Sequence, residues 1–367
     1  MTAEIADARW MAVALDLGRR GLGTTAPNPS VGCVIIKEDR VVGRGWTQPG
    51  GRPHAETEAL ARAGDAARGA TAYVTLEPCA HHGRTPPCAA SLVAAGISRV
   101  VVATTDPDPR TNGAGLKMLQ DAGIRTTVGL GAVEALSDLG GFLTCQQSGR
   151  PRVTLKLATS LDGRIATAGG DSQWITGLIA RLRNQALRAQ HDAVLVGIET
   201  ALIDNPQLTC RLPGWRLPTT RIVLDSRARL PVETRLVSEA NEHPLIQIVG
   251  DHIRSALSDC PGVTVSTCPT DKAGRLRMEH VLAVLAKQEV NDLLVEGGGQ
   301  VAASLLRSDL VDRLCWLHAG MVLGGDARPS VASLELARIS EAAKWQLHSR
   351  EPCGDDLLET WHRLTDK

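Results

Sequence analysis

The segment His54-Ala55-Glu56, followed by Pro78-Cys79 and then Cys88, constrains the fold of this chain more than any other feature. A zinc ion in a catalytic site takes three nitrogen or sulfur ligands from the protein and keeps a fourth position for water. One imidazole and two thiolates meet that need, provided three separate pieces of chain converge on one point. Glu56 is too close in sequence to His54 to be a second ligand on one helix face, but it can reach over the metal. Lewis-acid coordination lowers the pKa of a bound water to about 7. A neighbouring carboxylate can then pass that water's proton to a leaving group. A structural zinc site with His81 or His82 as a fourth ligand, or no metal at all, are the alternatives.

The rest of the pattern is that of a layered α/β chain. At 367 residues it is comfortable for two domains. Aromatics are only 2%, so the cores must be aliphatic. A helix is expected over 4–17, a loop over 18–30, and strands over 31–36 and 41–45. Helices over 54–63, 88–95 and 116–121 alternate with strands over 72–76, 99–103 and 125–128, which makes parallel pairing the expectation wherever a helix intervenes. The polar stretch 145–152, with Gly149 and Pro151, is the best boundary, giving domains over 1–148 and 149–367. Beyond it, strands are expected over 153–158, 193–197, 221–225, 245–249, 292–296 and 314–317, with helices over 178–190, 276–287 and 300–307.

Formal charge is zero, with 40 basic and 40 acidic side chains. A nucleic-acid binder needs a basic footprint and usually stacking aromatics; a small ligand is expected here instead. No apolar run approaches the ~20 residues of a membrane span, and no leader pattern opens the sequence. With nine cysteines, a reducing, cytoplasmic setting is expected, with free thiols and metal ligands rather than disulfides. Cys33, Cys145, Cys210, Cys260, Cys268, Cys315 and Cys353 read as small apolar residues. In the second half, Glu296-Gly297-Gly298-Gly299-Gln300 follows a strand and opens a helix. There, glycines let backbone N–H groups approach an anion such as a dinucleotide phosphate. A mere tight connection is the alternative.

The zinc pattern is that of nucleobase deaminases, except that eight residues rather than two separate the cysteines. With Pro27-Asn28-Pro29-Ser30-Val31-Gly32 and the Gly83-Arg84-Thr85-Pro86-Pro87 insert before Cys88, it resembles the bifunctional riboflavin-biosynthesis deaminase/reductase family, in which that spacing is the rule. The second half is similar to the family's reductase domain at 155–163, 172–176, 197–209 and 221–226. The resemblance implies a cytidine-deaminase-like three-layer domain with a mixed sheet, then a dihydrofolate-reductase-like α/β domain. It implies zinc-hydroxide deamination of 2,5-diamino-6-ribosylamino-4(3H)-pyrimidinone 5′-phosphate, a small phosphorylated pyrimidine. NADPH then reduces the ribosyl chain to ribityl. Association into a homo-oligomer through the reductase half is also implied.

Carried over residue by residue, His54, Cys79 and Cys88 hold zinc, Glu56 shuttles the proton and Asn28 contacts the pyrimidine, unless it only sets a turn. Arg84 and the region of Arg110 are candidates for the substrate phosphate or ordinary surface charges. Thr159, Trp174, Thr200, Asp204, Ser226 and Gly297 to Gln300 line the NADPH site. Ser172, Arg188, Leu208, Arg211 and Glu296 meet the substrate, the arginines through its phosphate. Lys156 stabilises or protonates the sugar oxygen, and Asp204 can assist. Core packing for Trp174, a turn for Asp204 and a solvated helix face for Arg188 are the competing assignments. Two positions depart from the family pattern: Thr47, where a His is common, and Leu139, where an Asn is usual.

Overall fold

The computed structural model describes residues 3–81, 86–108 and 111–364. The chain divides into two compact units, Met1–Gly149 and Arg150–Lys367.

The first unit runs α1 (Ala3–Arg19), β1 (Gly32–Lys37), β2 (Arg40–Trp46), α2 (Ala55–Ala63), β3 (Thr71–Val74), α3 (Cys88–Ala94), β4 (Arg99–Val102), α4 (Ala114–Asp121), β5 (Arg125–Val128), α5 (Ala132–Asp138) and α6 (Gly140–Ser148). Its sheet has the order β2-β1-β3-β4-β5. β1 pairs antiparallel with β2 and β3, whereas β3, β4 and β5 run parallel. β1, β3 and β4 are buried almost throughout, so both of their faces are covered by helices, as a three-layer arrangement requires. α1 presents Trp10, Met11, Ala14 and Leu15 to this core at the three- and four-residue spacing of one helix face.

In the second unit the main elements are β6 (Arg152–Ser160), β7 (Arg164–Ala166), α7 (Leu178–Ala189), β8 (Ala193–Gly197), α8 (Ile198–Asp204), β9 (Thr220–Leu224), α9 (Arg235–Ser238), β10 (Leu245–Gly250), β11 (Val263–Cys268), α10 (Met278–Lys287), β12 (Asp292–Val295), α11 (Gly299–Arg307), β13 (Arg313–Ala319), β14 (Arg328–Pro329), β15 (Trp345–Cys353) and β16 (Asp356–Arg363). Nine strands form one sheet in the order β11-β10-β9-β8-β12-β6-β13-β16-β15, while β7 and β14 pair separately. All neighbours are parallel except for the β13–β16 and β16–β15 pairs. Alternate residues divide between two aliphatic cores. Leu195, Ile222 and Leu293 enter one, and Val194, Val196, Val223 and Leu294 the other. The period of two thus sorts each strand's side chains to opposite faces.

The structure adds α5, α6, α8, α9, β7, β11, β14 and the β15–β16 hairpin to the elements expected from sequence. The polar residues Cys145 to Ser148, expected as a connection, form the last turn of α6, and the chain leaves the helix at Gly149. All nine cysteines are free. No helix among the described residues is long and apolar enough to cross a membrane.

α1 is tied to the sheet by Asp7. Its carboxylate accepts from Tyr73 Oη (2.6 Å) and from Arg99 Nη1 and Nη2 (2.9 and 2.7 Å). The Arg99 guanidinium holds the Asp7 carboxyl below the usual range. Asp7→Asn is expected to cost about 1 kcal/mol, since the pair lies at a partly open rim. A depressed folded pKa stabilises above the unfolded value and loses that contribution as pH falls through the folded one. The urea midpoints of wild type and Asp7→Asn should therefore differ at neutral pH and converge as pH falls below about 4.

Candidate active site

The three candidate ligands are carried by three different local structures. His54 caps the N-terminus of α2, Cys79 lies in the loop that follows β3, and Cys88 is the first residue of α3. His54 Nδ1 faces both sulfurs, at 3.8 Å from Cys79 Sγ and 3.3 Å from Cys88 Sγ. Among the described residues these three form the one His/Cys/Asp/Glu cluster able to hold a metal, with their ligand atoms within 4.8 Å of one another. A tetrahedron with Zn–S of about 2.3 Å and Zn–N of about 2.0–2.1 Å has N–S edges of about 3.6 Å. The observed separations fit it.

The electrostatics fit as well. Cys79 Sγ accepts the Cys88 backbone N–H at 3.3 Å. It is therefore the start of α3 that serves Cys79, which does not itself open a helix. Hydrogen bonding from Cys88, opposed by burial and helped by His54, brings the Cys79 thiol down to about 4. Cys88 is driven the other way, by its bond to Cys79, by burial and by Glu56. Side by side, the two thiols cannot both ionise without a cation between them, and a coordinated divalent metal deprotonates both. Glu56, in the first turn of α2, is 4% exposed, and burial pushes its carboxyl up to about 7.

A cavity of about 90 Å³ opens onto this cluster. Asn28, Thr47, Arg52, His81, Asp106, Asp108 and Phe142 line it together with His54, Glu56, Glu77 and Cys79. Asn28 Nδ2 donates to Gly51 O at 3.1 Å, which fixes its amide against the wall. His81 meets Thr111 Oγ1 through Nδ1 at 3.4 Å and is not part of the metal cluster. His82, Arg84 and Arg110 lie outside the described residues. Sequence reasoning missed Asp106 and Asp108; their only signal was a Pro-spaced acidic pair after a parallel strand. A larger depression of about 860 Å³ lies at Asp7, Arg99 and the 120–127 segment, away from this chemistry.

In the second unit Thr159, Thr200, Ser226 and Glu296 to Gln300 stand at or just after the ends of β6, β8, β9 and β12. The chain passes outward from β8 through β9, β10 and β11, then returns to place β12 between β8 and β6. Such a reversal leaves a crevice at the C-terminal ends of the strands. Gly297 follows β12 and backs onto β8. A Cβ on it would lie 2.9 Å from Gly197 N, so the approach requires glycine. Thr200, in α8, lies beside Gly298, and Ser226 follows β9. Thr159 Oγ1, near the end of β6, accepts from Trp316 Nε1 at 2.9 Å. Trp316 is a further residue that sequence reasoning missed.

Glu296 is the centre of a buried ionic group. Arg188 donates to it through Nε (2.6 Å) and Nη2 (2.9 Å), and Asn184 Nδ2 adds a third bond at 3.1 Å. Burial would raise the Glu296 carboxyl, but Arg188 and then Lys156 hold it at about 2. Burial pushes the Lys156 ammonium below the usual lysine range, against the pull of Glu296. Arg188 Nη1 donates to Thr209 O at 2.9 Å, so its guanidinium is buried rather than on a solvated face. Arg211 is exposed, with Nη1 3.1 Å from Gln207 Oε1. Leu208 is buried with φ +59°, and Ser172 is half-buried. Trp174 is 66% exposed, with the Arg181 guanidinium 4.2 Å from its ring centroid, so it is not core. Asp204 ends α8 and is exposed; the turn after it is set by Asn205 at φ +38°.

Residues 5–104 match the model of the cytidine and deoxycytidylate deaminase zinc-binding region, and residues 151–358 match that of the RibD C-terminal domain. The riboflavin biosynthesis protein RibD of Escherichia coli is 41% identical over 363 residues, covering 96% of this chain and 98% of that one. The counterpart of Haemophilus influenzae is 40% identical over 367 residues, covering 97% of each. The structure of Acinetobacter baumannii RibD superposes with a TM-score of 0.88 at 37% identity, covering 99% of this chain and 100% of that one. A diaminohydroxyphosphoribosylaminopyrimidine deaminase/5-amino-6-(5-phosphoribosylamino)uracil reductase of Thermotoga maritima gives 0.88 at 33% identity with the same coverage.

Removing one member of the Glu296 pair strands a buried charge, which costs about 3–5 kcal/mol. Glu296→Ala should therefore lower the stability of the second unit far more than Arg211→Ala does, as read by urea unfolding. Cys88→Ser should abolish stoichiometric zinc, measured by atomic emission on the purified protein, with that unit's stability unchanged.

Proposed function

The chain belongs to the bifunctional riboflavin-biosynthesis deaminase/reductase family, and from that premise we propose how its own residues divide the two reactions. Deamination is assigned to residues 1–148 and reduction to residues 149–367. The protein is an enzyme of riboflavin biosynthesis that uses zinc and NADPH and acts on a small phosphorylated pyrimidine. Convergence of His54 Nδ1 and the Cys79 and Cys88 sulfurs beside the buried Glu56 carries the reading.

When bound, zinc supplies a Lewis acid that acidifies water. His54, Cys79 and Cys88 hold it. Glu56 can both take and give a proton near neutral pH, because burial brings its carboxyl to about 7. It passes that proton to the departing 2-amino nitrogen of 2,5-diamino-6-ribosylamino-4(3H)-pyrimidinone 5′-phosphate. Asn28, its amide fixed by Gly51, contacts the ring.

NADPH supplies the hydride that reduces the ring-opened ribosyl chain to ribityl, giving 5-amino-6-ribitylamino-uracil 5′-phosphate. Thr159, Trp174, Thr200, Asp204, Ser226 and Gly297 to Gln300 would hold it. Lys156 donates a proton to the sugar oxygen. Glu296, drawn toward both Lys156 and Arg188, orients that ammonium. Ser172, Leu208 and Arg188 shape the substrate's place. Arg211, the more exposed arginine, takes its phosphate through forked, charge-assisted bonds. Association into a homo-oligomer is part of the same proposal.

Two variants test this. Glu56→Gln should keep its zinc and lose ammonia release by a factor of at least about 10²; full activity in that variant overturns the proton-shuttle role. Arg211→Ala should raise the Michaelis constant for the deaminated pyrimidine in the NADPH-oxidation assay. An unchanged constant removes its phosphate role, and the same measurement on Arg188→Ala decides that of Arg188.

A further inference from the structure

Glu77 stands between the end of β3 and Pro78-Cys79, is 3% exposed, and has no part in the chemistry assigned above. Its carboxylate accepts four backbone N–H groups. Oε1 takes Gly115 (3.0 Å) and Leu116 (3.1 Å), and Oε2 takes Gly113 (3.0 Å) and Asp106 (3.3 Å). Three of these donors belong to the start of α4, where N–H groups have no partner within the helix. The fourth belongs to Asp106, at the other end of the connecting segment. One side chain thus fastens Asp106 and the start of α4 together.

Between those two ends several of the bonds are local. Asp108 N–H donates to Asp106 Oδ1 at 2.9 Å, and Thr111 and Asn112 N–H donate to Asp108 O at 2.8 and 2.9 Å. The fit against the metal side is close. A Cβ on Gly115 would stand 2.0 Å from Pro78 O, the residue that precedes Cys79. Asp106 and Asp108 line the cavity that His54 and Glu56 also line. Thr111 Oγ1 meets His81 Nδ1 at 3.4 Å, a second tie between this stretch and the loop that carries Cys79.

We propose that Glu77 is a positioning residue for deamination: it clamps Asp106 and the start of α4 to the Cys79 loop and so sets where Asp106 and Asp108 stand relative to the pyrimidine. The inference rests on the deaminase reading above. A carboxylate that only stabilised the fold would leave the Michaelis constant of the folded enzyme alone. A clamp on the cavity wall changes it.

The test uses the zinc-loaded full chain and Glu77→Gln, which turns one acceptor oxygen into an NH₂ facing two of the four N–H groups. Zinc content should stay at the wild-type level. The Michaelis constant of the diaminopyrimidine phosphate in ammonia release should rise about 10-fold or more, with a smaller fall in kcat. NADPH oxidation with the deaminated product supplied directly should be unchanged. An unaltered kcat/KM for deamination overturns the proposal, and so does zinc loss with an unaltered Michaelis constant. A second measurement needs no variant. In wild type, the amides of Gly113, Gly115 and Leu116 should exchange with deuterium as slowly as those of β4, and rapid exchange overturns the clamp. Wild-type protein that releases no ammonia overturns the deaminase reading instead, and amide exchange still decides the clamp.

Discussion

Two sulfurs, an imidazole and a carboxylate have to share one buried place, and the first unit is organised around making that tolerable. Left to themselves these groups oppose one another: Cys79 ionises at the expense of Cys88, and burial, with Cys79 beside it, raises the Glu56 carboxyl. The fold offsets the conflict with fixed dipoles. The first N–H of α3 points at Cys79 Sγ, and the start of α2 holds His54 at the cap and Glu56 two residues on. A divalent cation then removes the remaining repulsion, which is why the arrangement reads as a metal centre rather than as a reactive thiol pair.

Both units put their chemistry at the C-terminal ends of parallel strands. In the first, β3 leads into Glu77 and Cys79 and its parallel neighbour β4 into Asp106 and Asp108. In the second, β6 carries Thr159 near its end, and β8, β9 and β12 lead to Thr200, Ser226 and Glu296, with Lys156 at the middle of β6. Strand ends in such sheets leave backbone groups unpaired and side chains unburied by the next layer, so polar groups can collect there without disturbing the cores. The opposite edge of the second unit's sheet serves stability. Arg152 and Asp292 pair across β6 and β12 at the strand starts, and the side chains form a buried ion pair.

The zinc ligands were legible because their chemistry is local: each ligand brings its own cap or loop signal, His54 before a helix and Cys88 at the start of one. The Gly297 run was legible for the same reason. What stayed hidden depends on pairing across distance. Glu296 and Arg188 were each singled out as substrate contacts, but nothing in their spacing announces that they bond to one another, 108 positions apart. Glu77 reads as an ordinary residue before Pro78, and its four bonds come from backbone N–H groups, which no side-chain pattern announces. The β15–β16 hairpin escaped notice because its outer strand alternates weakly and is largely exposed. α5 and α6 were hidden because Gly140 and Gly141 broke the apparent helical pattern, yet packing of Ala135, Leu139 and Leu143 into the core overrides that propensity.

The two departures from the family pattern differ in consequence for a reason the packing makes clear. Leu139 is 3% exposed and sits among core aliphatics, outside the cavity lining, so a side chain there acts on the first unit's packing rather than on a ligand. Thr47 does line the cavity, and its hydroxyl oxygen accepts from Val31 N–H at 3.0 Å. A hydroxyl that accepts one bond still has its own proton to give. The ring of a histidine in that place would reach further into the cavity and could carry charge; the threonine reaches less far and stays neutral. Arg52 lines the same wall. At this point of the wall the chain therefore offers one short hydroxyl in place of an imidazole.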